Sequence, residues 1–311
     1  MKELRAPFLI AVIIPTFLGA LIAATEIGDD FNFSYFLLTL VGIICIHLGA
    51  NVSNDYFDYK SGADVNNPYR TPFSGGSGLL SDTDKKLLKP KHVLIVAFGF
   101  YGIGCSIGLL LDFLLGDPLH FILLIGLAGV GLSFFYTAPP FKFSYRGLGE
   151  LAVATTFGPF VVIGSYYVQT VQLSWDPLLA SLPLAALIAA ILYINEFPDH
   201  FVDKRAGKRQ LVVRVGVERA VRGYLGLVAF AFISILFGIA IGFFDLNLGI
   251  QGIPLAAAAT LVAIPIALKT SDILKKNYNS PLKLIPASAN TLLLYSLVGI
   301  LLCVAYAVRL F

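Results

Sequence analysis

Apolar residues gather into nine long runs, at roughly 6–25, 34–54, 92–111, 119–137, 149–170, 178–197, 222–244, 250–268 and 289–310. About 20 mostly apolar residues suffice for a helix to cross the hydrocarbon of a bilayer. Inside hydrocarbon every backbone N–H and C=O must be satisfied within the segment, so each run is predicted to be α-helical. Pro15, Pro159, Pro183 and Pro265 fall inside runs and are read as kinks that a packed bundle tolerates. The alternating ten-residue segments of an outer-membrane barrel are missing. The pattern predicts an all-α polytopic membrane protein of nine transmembrane helices, a single domain over residues 1–311.

Composition supports this. Only 13% of residues are charged and 57% are apolar, against about 25% charged in a soluble domain. The net charge of +3 is too small to suggest nucleic acid as a partner. Met1 to Arg5 and the run behind them imitate a secretory signal. That run is longer than a signal core and further runs follow, so it is read as a retained first helix. Cys45, Cys105 and Cys303 lie in apolar runs without metal or redox spacing and read as small buried hydrophobes.

The basic residues orient the spans. Of 22 Lys and Arg, 21 fall at the N-terminus or in the loops after the second, fourth, sixth and eighth runs, leaving only Arg309 on the other side. The positive-inside rule then predicts a cell-membrane protein with its N-terminus cytoplasmic and its C-terminus outside. The opposite loops carry only Glu26, Asp29, Asp30, Asp112, Asp117, Asp176 and Asp245, so the chemistry is expected at the cytoplasmic end.

Two acidic clusters lie at that end. The first runs from Asn51 through Asn54, Asp55 and Asp58 to Asp64, and the second holds Asn195, Glu196, Asp199 and Asp203. Residues four apart share a helix face, so Asn54 stacks on Asp58, Asn51 on Asp55, and Asn195, Asp199 and Asp203 form a column. Pro198 either kinks the sixth span or opens a new helix there. A lone Asp at a span end usually only caps it. Two such clusters ending equivalent spans call for a cation among them, since close carboxylates repel. Hard oxygen ligands suit Mg²⁺, which is commonly held by a few carboxylates together with substrate phosphates and water.

Bases are interspersed with the acids. Arg70 lies in a loop whose glycines let backbone N–H groups approach an anion. Lys142 and Arg146 occupy a Pro- and aromatic-rich turn, and Lys204, Arg205, Lys208 and Arg209 follow the second column. Acids for Mg²⁺ and bases for phosphate oxygens describe a diphosphate site. Lys85, Lys86, Lys89, Lys91, Lys275 and Lys276 are read as serving topology and lipid headgroups. His47, His92, His120 and His200 are scattered without zinc or haem spacing. Walker A and nucleophile-elbow sequences are absent.

The paired acidic clusters resemble the Asp-rich motifs of the UbiA superfamily of intramembrane prenyltransferases, and the resemblance covers essentially the whole chain. It implies nine helices around a central cavity, with the motifs facing each other across it. On that resemblance Asn54, Asp58 and Asp64 form the first motif, and Asn195, Asp199 and Asp203 the second, all as metal ligands. The common first motif is N-D-x-x-D-x-x-x-D. Here its last position is Gly62, and the next Asp is at 64. With Tyr-Arg-Thr and Gly-Gly after it, this variant looks like the menaquinone-type branch.

The resemblance implies Mg²⁺-dependent transfer of a polyprenyl group from a prenyl diphosphate to an aromatic quinone precursor. Asp58 and Asp199 would act in catalysis and Tyr136 would position the acceptor. Arg70, Lys142, Arg146, Lys208 and Arg209 would bind the diphosphate. Lipid-facing helices would keep water from the allylic cation. The competing expectations are prenyl transfer to a glycerol phosphate and, from another class, a secondary transporter. A transporter would place its acids near the bilayer midplane.

Overall fold

The computed structural model describes residues 6–63, 68, 71–74, 76, 80, 89–244 and 249–311. Among these, eight helical stretches are long and apolar enough to cross a membrane, and one shorter apolar helix accompanies them. The helices are α1 (Ile10–Ile27), α2 (Phe33–Ser61), α3 (Pro90–Leu115), α4 (Phe121–Phe134), α5 (Gly149–Thr155), α6 (Val161–Thr170), α7 (Trp175–Arg205), α8 (Leu211–Val215), α9 (Val217–Phe244), α10 (Ile264–Asn277) and α11 (Ile285–Ala307).

Local chemistry sets the ends that matter for the site. The Asn32 side chain accepts from Tyr35 N at 3.1 Å and starts α2. Gly62 ends it with φ +83°, its N–H reaching back to the Asp58 and Tyr59 carbonyls. That left-handed conformation suits glycine, which explains why position 62 carries no acid.

The fourth run is shorter than its apolar stretch. α4 has 14 residues, a rise of about 21 Å against hydrocarbon about 30 Å thick. The chain then doubles back, with Phe143 N on Phe135 O at 3.1 Å and Ser144 N on Tyr136 O at 2.9 Å. Pro139 and Pro140 have no N–H to prolong the helix. The expected fifth span is α5 and α6 joined by a π turn at Thr156–Phe160 that contains Pro159.

α7 is the central post. Its 31 residues rise about 46 Å, so the helix outreaches the hydrocarbon. Pro198 neither ends nor restarts it, because α7 runs unbroken through that residue to Arg205. Leu184, Leu187, Ile194 and Phe197 are fully buried in the main core with residues of α1, α6, α9 and α11. α2 packs closely on α3, where a Cβ on Gly104 would stand 2.9 Å from the Gly42 carbonyl oxygen. Ile95, Phe98, Leu109 and Phe113 stay exposed on α3, apolar surface of the kind a bilayer covers.

Candidate active site

The polar ends of α2 and α7, together with Phe73, Ser74, Gly76 and Tyr136, line one cavity of about 200 Å³. His47, Asn51, Asn54 and Asp58 come from one face of α2, and Asn195, Asp199 and Asp203 come from α7. Spacings of three and four residues keep each set on a single face. Asn51 therefore joins Asn54 and Asp58 on the cavity face, whereas Asp55, though buried, is not part of the lining.

Asp58 is the best-held acid. It is 3% exposed, accepts from Lys208 Nζ at 3.0 Å through Oδ2, and accepts from the Tyr145 hydroxyl at 2.9 Å through Oδ1. Lys208 reaches it because the chain turns back after α7. Gly207 takes φ +74°, and Lys208 N donates to Asp203 O at 2.8 Å. The Tyr145 hydroxyl also lies 2.5 Å from Ser61 Oγ. Burial, and then the neighbouring Asp58 charge, push Tyr145 well above the usual phenol range, so it remains a neutral donor.

The lining is rich in oxygen acceptors and poor in cations. Four carboxyl groups, of Asp58, Glu196, Asp199 and Asp203, share the cavity with one ammonium, Lys208, among the described residues. Asn195 Oδ1 and Gln210 Oε1 are buried without a hydrogen-bond partner among the described residues. In a low-dielectric pocket such a set favours a further cation. No preformed group of three His, Cys, Asp or Glu that would hold an ion exists among the described residues.

The remaining expected residues are placed as follows. Tyr136 lines the cavity. Lys142 Nζ lies 5.0 Å over the Tyr145 ring, at the edge of the cluster. Arg146 is exposed and donates to Pro140 O at 3.1 Å. The Arg209 side chain is also exposed, while its backbone N–H bonds Tyr145 O at 3.2 Å. Asp64 and Arg70 lie outside the described residues. Sequence reasoning missed Tyr145, Ser61 and Gln210. Only the position of Tyr145 between Lys142 and Arg146 hinted at its place.

A family model, that of the UbiA prenyltransferase family, matches residues 12–297. The chain belongs to the UbiA prenyltransferase family. It is an integral membrane protein of that family, and the transporter expectation is set aside. Among its relatives, 1,4-dihydroxy-2-naphthoate octaprenyltransferase of Bacillus subtilis (strain 168) is 28% identical over 75% of this chain and 70% of that protein. The UbiA prenyltransferase domain-containing protein 1 homolog of Drosophila melanogaster is 31% identical over 70% of this chain, but the match spans only 57% of the fly protein. A UbiA homolog from Archaeoglobus fulgidus, solved bound to DMAPP and Mg²⁺, shares the fold with a TM-score of 0.64 at 14% identity, covering 97% of this chain and 98% of that one.

Proposed function

We propose that this chain transfers a polyprenyl group from a prenyl diphosphate to an aromatic quinone-precursor ring in the cell membrane, with Mg²⁺ as cofactor. The observation that carries the reading is the meeting of the two acidic clusters, from α2 and α7, on one cavity with Lys208 between them. The relatives' naphthoate substrates favour the aromatic acceptor. The one-sided basic residues favour a cytoplasmic site and N-terminus, with the C-terminus outside.

Asn54, Asp58, Asp64, Asn195, Asp199 and Asp203 would hold the metal. When bound, Mg²⁺ supplies the positive charge that joins these acids to the diphosphate and offsets charge on the leaving group. Lys208 would donate to the diphosphate oxygens, with Arg70, Lys142, Arg146 and Arg209 as the further bases for that charge. Tyr145 and Ser61 keep Asp58 in place. The allylic C–O bond breaks with its electron pair going to diphosphate, the ring carbon attacks, and the ring then loses a proton. Tyr136 orients that ring. The prenyl tail would enter a neighbouring apolar cavity of about 150 Å³ between α2, α3, α4 and α6, and apolar walls disfavour capture of the allylic cation by water.

The test is turnover by the purified chain in nanodiscs, with prenyl diphosphates, Mg²⁺ and 1,4-dihydroxy-2-naphthoate, read by product mass spectrometry. Prenylated naphthol that disappears with EDTA is the expected result. Prenylation of a glycerol phosphate in its place would overturn the aromatic assignment.

A further inference from the structure

The polar and apolar cavities share a boundary made by His47, Ala50, Ser133, Thr156 and Phe157. With the diphosphate beside Asp58 and Asp199 and the tail in the apolar space, the allylic carbon joining them lies at that boundary. An attacking ring carbon has to come within about 3–3.5 Å of it. The acceptor ring is therefore confined to the same place, and the polar side chains there decide how it sits.

His47 is the most distinctive of these. It is 6% exposed and lies one helical turn deeper than Asn51. The Asn51 amide Nδ2 stands 3.1 Å from His47 Nε2. An amide nitrogen can only donate, so Nε2 accepts and the ring proton resides on Nδ1. The Phe157 ring meets the imidazole edge to face, with centroids 5.3 Å apart. Phe157 is carried there by the π turn, a feature frequent at functional sites. The boundary hydroxyls have their own partners. Thr156 Oγ1 donates to Ala152 O at 2.7 Å, and Ser133 Oγ donates to Val130 O at 2.9 Å and lies 3.1 Å from the Tyr101 hydroxyl. His47 has its ring oriented by another side chain.

We propose that His47, oriented by Asn51 and Phe157, binds the aromatic acceptor by donating a hydrogen bond from Nδ1–H to a ring hydroxyl oxygen. The proposal rests on the prenyl-transfer reading above and adds the group that selects a hydroxylated ring. His47→Phe keeps a planar ring and removes the N–H, and His47→Gln restores a donor.

The experiment measures equilibrium binding of 1,4-dihydroxy-2-naphthoate to the full chain in nanodiscs, alongside steady-state turnover. His47→Phe is expected to weaken naphthoate binding and raise its KM about tenfold, the size of one lost hydrogen bond. The KM for prenyl diphosphate and the Mg²⁺ dependence stay as in wild type, and His47→Gln recovers most of the loss. A naphthoate lacking the bonded hydroxyl binds wild type about tenfold less well and His47→Phe no worse than before. Unchanged naphthoate binding in His47→Phe overturns the proposal, as does an equal loss for both substrates, which marks a packing role. Should His47→Phe fail to fold, the deoxy analogue on wild type decides: undiminished binding of both single-deoxy naphthoates overturns the proposal. If wild type forms no prenylated naphthol while its naphthoate affinity still depends on His47, the prenyl-transfer reading falls and the hydroxyl-binding role stands.

Discussion

At the end of the bundle away from the cavity, Asp117 and Asp176 are as deeply buried as Asp58 and Asp203 are at the other. Their surroundings differ. Asp117 accepts from Leu119 N at 2.9 Å, Phe121 N at 2.6 Å and the Tyr167 hydroxyl at 2.8 Å, which closes the start of α4. Asp176 accepts from Gly252 N at 2.8 Å and Gln251 N at 3.2 Å, pinning the segment before the 3₁₀ turn at Leu255–Ala263. Most of the donors to these carboxylates are backbone N–H groups, and neither meets an ammonium among the described residues. At the cavity end, Asp58 is held by a side-chain ammonium and a phenol, and its neighbours open onto space lined by further oxygens. Burial alone does not distinguish a structural acid from a chemical one. The source of its donors does.

The contrast breaks if substitutions at the two ends behave alike. The largest separation is expected for Asp58→Ala and Asp199→Ala, each lowering kcat/KM on the order of 10³-fold or more. Full activity in either variant would remove that acid from the ligand set. Lys208→Met comes next, with kcat/KM down roughly 10²-fold. Taking one partner from a buried ion pair costs about 3–5 kcal/mol, so its Tm falls as well. Mg²⁺ should restore part of that loss by binding the folded state; a Tm that ignores Mg²⁺ would argue against a shared cation position.

Asp117→Asn should do the opposite, lowering stability by about 1–3 kcal/mol through mismatched donors while leaving turnover per folded molecule unchanged. A thermal melt beside an activity assay checks both halves. The smallest effect is the pH dependence of that same acid. Burial raises the Asp117 carboxyl, but the N–H groups of Leu119, Phe121 and Ile122 and the Tyr167 hydroxyl outweigh it, so the group sits below its ordinary value. A carboxyl depressed in the folded state stabilises fully above its unfolded value, and the benefit is lost as pH falls through the folded one. Wild-type Tm should therefore drop further on acidification than that of Asp117→Asn, and parallel curves would contradict the assignment.

Much of the architecture was legible along the chain because lipid imposes a simple length rule and helices a simple spacing rule. The nine apolar runs all appear as helical segments among the described residues, the fourth one short. The two acid columns could be read because residues three and four apart share a face whatever the helix packs against. Linear reading failed where loops decide. Lys142, Lys208, Arg146 and Arg209 look equivalent along the chain, yet only Lys208 bonds Asp58, since the turn at Gly207 aims it inward. Tyr145 and Gln210 enter the cavity cluster through the same folded-back connections, and no periodicity marks them.

The sequence by itself determined that the chain spans a membrane as helices and which helix faces carry the acids, because those properties follow from local hydrophobicity and helical pitch. Tertiary structure alone decided that the two faces share one cavity, which base joins them, and that a π turn sets Phe157 against His47. Those outcomes depend on how separate helices pack and where connections turn, relations between residues distant in the chain that no local pattern encodes.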